Sequence, residues 1–267
     1  MTEKYNQTII ILAFCSAFTD FLTNTPADAF YPRDRIIHTI ISALIFMFVA
    51  YIINSINFER AVLQHISIII LIIRLVFISY KFSSYFRMFY GNSTVGIVLF
   101  TIIVFIMVIG MNDNNISQIG GFYIIVNIIM LVLFIIFIDK ADAVNIYTID
   151  NEFNLSFEKI FVLFDIFTIS VISVNKTSKW KNQKKYIVLC VLAFAGIILV
   201  QGLCIKGELL YSLSPLQAVL QILSGKTVKR YDYLMNLFFI FNYFGAIVLY
   251  STAVRKLLNA EIYFEKN

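Results

Sequence analysis

The sequence predicts an all-α membrane protein, a polytopic transmembrane helical bundle of about eight spans. Three observations predict it. Of 267 residues, 60% are hydrophobic and only 14% charged, whereas soluble domains average about 25% charged residues, so there is too little polar surface to coat a globule. The apolar residues fall in runs close to the ~20 that cross a bilayer at 1.5 Å rise per residue. Those runs are continuously apolar instead of alternating, which disfavours barrel strands. With 27 Phe and 15 Tyr against 10 Gly and 3 Pro, fibrous and disordered classes are excluded. The net charge of +5 points to Lys and Arg held on cytoplasmic loops, not to nucleic acid.

The runs lie near residues 8–22, 35–55, 62–80, 94–112, 119–138, 157–174, 186–205 and 231–254, in one integral membrane domain, 1–267. The first, "TIIILAFCSAF" after Lys4 with "ADA" at 27–29, passes for a signal peptide with its cleavage site. Because more spans follow with no soluble domain between, it is expected to stay as an uncleaved first helix. The connection 139–157, "DKADAVNIYTIDNEFNLS", is short, polar and acid-rich. The one after the sixth run, "NKTSKWKNQKK", carries Lys176, Lys179, Lys181, Lys184 and Lys185 and no acid, so it is expected in the cytoplasm. Counting spans from there puts both termini inside and the 139–157 loop outside, although Lys226, Lys229 and Arg230 then fall on the outer side.

Before the eighth run, "SGKT" imitates the tail of a phosphate-binding loop, but Leu220 stands where its first glycine is required. No β-branched strand feeds it, so no nucleotide site is expected. Cys15, Cys190 and Cys204 sit inside apolar runs, where a thiol behaves as a small hydrophobe. No Cys or His spacing suits a metal, His38 and His65 lie on different segments, and neither metal nor cofactor is implied.

Polar residues within the spans are the functional candidates, because charge in hydrocarbon costs about 2.5–3.5 kcal/mol on insertion scales. Arg74 sits among eleven Ile, Leu, Val and Phe neighbours in "ISIIILIIRLVFISY". Two readings stand open, snorkelling to an interface or a bundle-interior ion pair. Asp165, in "IFVLFDIFTISVISV", has too short a side chain to snorkel and is expected to face protein, water or a cation. Asp20 ends the first span and is read as interfacial, and Asn236 and Asn242 serve equally as interhelical glue or ligand contacts. The first and sixth spans are the shortest, marked by Ser16, Thr19 and Asp20 and by Asp165, Thr168 and Ser170. Transporters with inverted five-helix repeats break the matching helix of each half. Spans one and six are therefore expected to meet at mid-membrane, with non-helical backbone near Ser16 and Asp165.

Four stretches carry a family resemblance. They are "IVLFTIIVFIMVIGMNDNNISQIGGFYIIVNIIMLVLFIIF", "KNQKK", "GLCIKGELLYSLSPLQAVLQIL" with Tyr211 and Pro215, and "TVKRYDYLMNLFFIFNYFGAIVLY" with Lys229, Arg230 and Asp232. Together they resemble the spore germination permease family, the B subunits of nutrient germinant receptors, within the amino acid–polyamine–organocation superfamily. The resemblance implies a five-plus-five inverted-repeat transporter fold lacking its last two helices, with Val228 in place of the Glu of the charged collar and no proline in the fifth helix. It implies a subunit of the cell membrane, such as the inner membrane of a spore. There it would bind or sense a small nutrient such as an amino acid, beside other receptor subunits in the lipid bilayer. The ligand-binding residues it suggests are Ser16, Thr19, Arg74, Asp165, Thr168 and Asn236. In that fold the third and sixth helices border a central cavity, so Arg74 and Asp165 are expected to face each other. The alternative is a transporter-like structural or assembly subunit with no ligand of its own. An enzyme is not expected, since no acid cluster or Ser–His constellation occurs in the spans.

Overall fold

The computed structural model describes residues 2–23, 32–56, 61–91, 94–136, 161–173, 176–204 and 231–264. The 139–157 loop, the "SGKT" stretch, and Tyr211, Pro215, Lys226, Lys229 and Arg230 lie outside the described residues. Among those described, every regular element is helical: α1 (Thr2–Thr23), α2 (Pro32–Ser55), α3 (Ala61–Tyr90), α4 (Thr94–Ile109), α5 (Asp113–Ile136), α6 (Phe161–Ile172), α7 (Lys176–Cys204) and α8 (Tyr231–Phe264). Each of the eight apolar runs overlaps one of them. Among the described residues two stretches, Val62–Ser84 of α3 and Asn236–Asn259 of α8, are long and apolar enough to cross a membrane, and α4 is a shorter apolar helix.

Local chemistry explains the boundaries. α3 stops at Gly91, whose φ of 73° needs no Cβ and whose N–H donates to the Arg87 carbonyl at 3.2 Å, the left-handed helix stop that glycine favours. α5 starts where the Asn112 side chain accepts from the Asn115 N–H at 2.9 Å, an N-cap that meets one of the unpaired first-turn donors. Asp113 adds negative charge at the same terminus. One boundary differs from expectation: "KTSKWKNQKK" is not a loop but the opening turns of α7. Unbroken by Gly or Pro and rich in helix-forming Lys, it holds Asn182 and Gln183 against the bundle and presents Lys181, Lys184 and Lys185 outward.

α1 and α8 pack together at the centre. α3, α4 and α5 lie against this pair, α6 and α7 complete the other side, and α2 packs on α6 and α7. Small residues permit the closest approaches. A Cβ on Gly120 of α5 would lie 2.1 Å from the Thr8 hydroxyl of α1, and one on Gly245 of α8 would lie 2.9 Å from the Cys15 Cβ.

On α3 and α4 the usual distribution of polarity is inverted. α3 turns Val62, Ile66, Ile69, Ile73, Val76 and Tyr80 outward, at spacings of four and three, while Gln64, Ser67, Arg74, Ser79 and Ser83 point inward. α4 does the same, with Val95, Leu99, Ile103 and Ile106 outward and Thr101 buried. α2, α5 and α7 add Phe48, Tyr51, Phe122, Ile125 and Leu192 to the apolar exterior. Inside, hydroxyls find partners on their own helices: Ser67, Ser79, Ser251 and Thr252 each donate to the carbonyl four residues back, at 2.6–2.7 Å.

Successive helices run in opposite directions, as the contacts Arg87–Thr94 between α3 and α4 and Gln183–Ser170 between α7 and α6 show. Four contacts fix which ends meet, one of them Lys256 of α8 over the Tyr5 ring of α1 at 5.3 Å. Asn6 of α1 donates to Ser178 of α7 at 2.8 Å. The Tyr51 ring of α2 stands edge-on to Trp180 of α7 at 6.2 Å. Arg255 and Lys256 of α8 both bind Asp113 of α5, and Arg255 also donates to the Met111 carbonyl. The start of α1, the ends of α2, α4 and α8, and the starts of α5 and α7 therefore share one end of the bundle. Lys4, Lys181, Lys184 and Lys185 lie there too. Burial holds the Tyr5 phenol above its ordinary range at this end, and the neighbouring Asp113 charge adds to the shift.

Candidate functional site

At the centre of the bundle five helices bring charges and hydroxyls together. Arg74 sits midway along the apolar stretch of α3, turned inward and only 2% exposed. Its guanidinium forms an ion pair with Asp20 of α1, which is 4% exposed. Its Nε donates to the Tyr250 hydroxyl of α8 at 3.1 Å, and the guanidinium carbon lies 5.6 Å from that ring and 6.0 Å from the Phe164 ring, within cation–π range. Asp165 of α6 is fully buried and accepts from two phenols, Tyr250 at 2.5 Å on Oδ1 and Tyr186 of α7 at 3.0 Å on Oδ2.

Counting donors orients the network. A phenol has one proton and two acceptor sites. Tyr250 gives its proton to the carboxylate and accepts from Arg74, so the 2.8 Å bond to Ser16 must be donated by the serine. With both acids ionised, two carboxylates face one guanidinium and the cluster carries a formal charge of −1. Asp20 touches the cation directly. Asp165 does not; its two oxygens accept from phenols, whose bonds to a carboxylate are short and strong.

Several expectations are corrected here. Arg74 does not snorkel; it is an interior residue. Its ion-pair partner is Asp20, not Asp165, and Asp165 lies beyond the Tyr250 hydroxyl. Asp20 is therefore not interfacial. α1 and α6 do meet, but both are continuous helices through Ser16 and Asp165. With no Gly or Pro in either segment, and with side chains supplying the cluster, the backbone needs no break. Thr19 and Thr168 are buried beside the cluster, yet their hydroxyls donate to the Cys15 and Phe164 carbonyls of their own helices, at 2.8 and 2.6 Å. Asn236 precedes Tyr250 by fourteen residues on α8, about 21 Å along the axis at 1.5 Å per residue, and does not reach the site.

The sequence reading missed Asp20, Tyr186 and Tyr250. A signal for Asp20 and for Tyr250 was present. Ser16 and Asp20 are four apart on one helical face, and Tyr243 and Tyr250 are seven apart on another. Tyr243 forms a second polar contact between α3, α4 and α8. Its hydroxyl lies 2.6 Å from the Thr101 hydroxyl, which is 3.4 Å from that of Ser79, and its ring stacks on Phe82 at 4.1 Å. Cys15 and Cys190 are buried free thiols. Among the described residues no group of three or more His, Cys, Asp or Glu is placed to hold a metal ion. What the arrangement offers instead is a cation and an anion on either side of one phenol, shielded from the exterior. The chain matches no protein-family model, no curated protein and no solved structure.

Proposed function

We propose that the chain is a polytopic integral membrane protein of about eight spans whose central cluster binds a small zwitterionic nutrient, such as an amino acid, in the manner of a permease-like receptor subunit. The observation that carries this reading is the inverted polarity. Apolar side chains cover the outer faces of α2, α3, α4, α5 and α7, while Arg74, Asp20 and Asp165 occupy the interior. Apolar surface of that extent marks a membrane or protein contact, and intramembrane charges turned inward mark solute or ion pathways. The alternating helix directions suit serial crossings. The lysine-bearing end takes the cytoplasmic side by the positive-inside rule, so both termini are cytoplasmic.

An amino acid carries the two charges that the cluster complements. Its carboxylate suits the Arg74 guanidinium and its ammonium suits Asp165, with the Tyr250 hydroxyl displaced between them. The resemblance to spore germination permeases supports the same class of ligand and a place beside other receptor subunits. A second reading has its own support. Tyr250, Ser16 and Asp165 spend their hydrogen bonds on one another, as they would in a structural subunit without a ligand. Thermal unfolding of the purified chain against a panel of amino acids separates the two. Concentration-dependent stabilisation by at least one, lost in Arg74→Gln, supports binding, whereas no shift with any leaves the structural role. Cysteines placed at Lys181 and Arg87 test the topology. Only Arg87→Cys should react with an impermeant thiol reagent outside intact cells, and labelling of Lys181→Cys there would overturn the orientation.

A further inference from the structure

The inward face of α7 is polar from its start down to the charged cluster. Ser178 accepts from Asn6 at 2.8 Å and from Asn182, one turn on, at 3.4 Å. Gln183 donates to Ser170 of α6, and Tyr186 then donates to Asp165 at 3.0 Å. Asn182, Gln183, Ser170 and Tyr186 are all buried. From Ser178 to Tyr186 this stripe runs about 12 Å along the helix. Beyond Tyr186 the buried face turns to Ile187 and Cys190, so the stripe ends at Asp165. A buried polar stripe is expensive unless its groups are satisfied, yet the Gln183 Oε1 is buried and has no donor among the described residues. It is an unfilled acceptor on this face, a group that a relay of protons through water can use.

We propose that Asp165 is a proton-binding site reached from the lysine-bearing end of the bundle along the buried polar face of α7. This rests on the reading that the central cluster is the working site, and adds a second ligand to it. The groups facing Asp165 decide where the proton goes. α1 presents Asp20 and Ser16, α3 presents Arg74, α7 presents Tyr186 and Cys190, and α8 presents Tyr250. α2 also packs on α6, but its one titratable group among the described side chains, Tyr51, faces Trp180 instead.

Oδ1 is held by Tyr250, whose acceptor sites are both filled by Arg74 and Ser16. That phenol cannot reverse its bond. Oδ2 accepts from Tyr186, and this hydroxyl can turn to accept, passing its own hydrogen towards Cys190 within reach on the next turn. A proton delivered by hydronium therefore forms the O–H bond on Oδ2, leaving water behind, and the formal charge of the cluster goes from −1 to 0. Away from α7, Asp165 is bordered by Tyr250 and, beyond it, by the Arg74–Asp20 pair, whose hydrogen bonds are spent on one another. Protonated Asp165 no longer attracts an ammonium group, so proton and nutrient compete for it.

Infrared difference spectroscopy on the full chain tests this, in alkyl maltoside micelles, which carry no ester carbonyl. The sample is taken from alkaline to mildly acidic pH without any nutrient, so the outcome is independent of whether a solute binds. A buried protonated-carboxyl band should appear, vanish in Asp165→Asn, and shift in frequency in Tyr186→Phe, which removes the hydrogen bond to Oδ2. Gln183→Leu should keep the band but slow its appearance after a pH jump tenfold or more. Should Asp165→Asn not fold, the Tyr186→Phe shift decides the site. No buried band on acidification, an undiminished band in folded Asp165→Asn, or no shift in Tyr186→Phe overturns the site; an unslowed Gln183→Leu overturns the route.

Discussion

Replacing Asp20 by Asn removes the carboxylate that meets the Arg74 guanidinium while leaving the cation buried. Both groups are almost wholly enclosed, at 4% and 2% exposure, so solvent cannot take over the lost interaction. Breaking one partner of such a pair costs about 3–5 kcal/mol, because the charge left behind remains desolvated. Part of that cost is cushioned by the Tyr250 and Phe164 rings beside the guanidinium, so the lower part of the range is expected for Asp20→Asn. At about 1.4 kcal/mol per tenfold, ~3 kcal/mol lowers the folded-to-unfolded ratio by roughly two decades. Reversible unfolding of the full chain in a detergent titration reads this directly. Arg74→Gln should cost a similar amount, and the double variant should fall short of the sum by about 1.5–3 kcal/mol, the departure from additivity that contacting residues show. Asp165 is set off from Arg74 by two bonds in series, 3.1 Å and 2.5 Å, through the Tyr250 hydroxyl. The Asp165–Arg74 cycle should accordingly show a coupling below about 1 kcal/mol. A loss under about 1 kcal/mol for Asp20→Asn, or a larger coupling for Asp165 than for Asp20, would refute the assignment of the ion pair.

Two further outcomes test the packing. Gly120→Ala drives a methyl against the β-branched Thr8 of α1, with its Cβ 2.1 Å from Oγ1 and 2.7 Å from the Thr8 Cβ, and should cost about 1–3 kcal/mol in the same titration. Gly121→Ala, which meets nothing within 4 Å, should be neutral or slightly stabilising; equal losses at the two sites would contradict the α1–α5 approach. Tyr243→Phe removes the 2.6 Å bond to Thr101 but keeps the ring on Phe82, so it should cost about 1 kcal/mol, and Tyr243→Ala several times more. Equal losses would mean that the stacked ring contributes nothing.

Element type and approximate extent were legible in the chain because they depend on local chemistry. Long apolar runs low in Gly and Pro form helices whatever surrounds them, and stops such as Gly91 and caps such as Asn112 act within one turn. The importance of Arg74 and Asp165 was legible for a similar reason, since an isolated charge in an apolar run must be compensated somewhere. Where compensation came from was not. Asp20 lies fifty-four residues from Arg74, and Tyr250 lies eighty-five from Asp165. Their meeting depends on the rotation of α1, α3, α6 and α8 about their own axes, set by packing at sites such as Gly120 and Gly245. The lysine-rich segment shows the same division. Its charge pattern placed it at one end of the bundle, but only the tertiary structure made it the first turns of α7. There a helical period turns Lys181, Lys184 and Lys185 outward and Asn182, Gln183 and Tyr186 into the interior. Composition and period thus determined the helices and the charges that need partners, while helix rotation and close packing decided which partners they have.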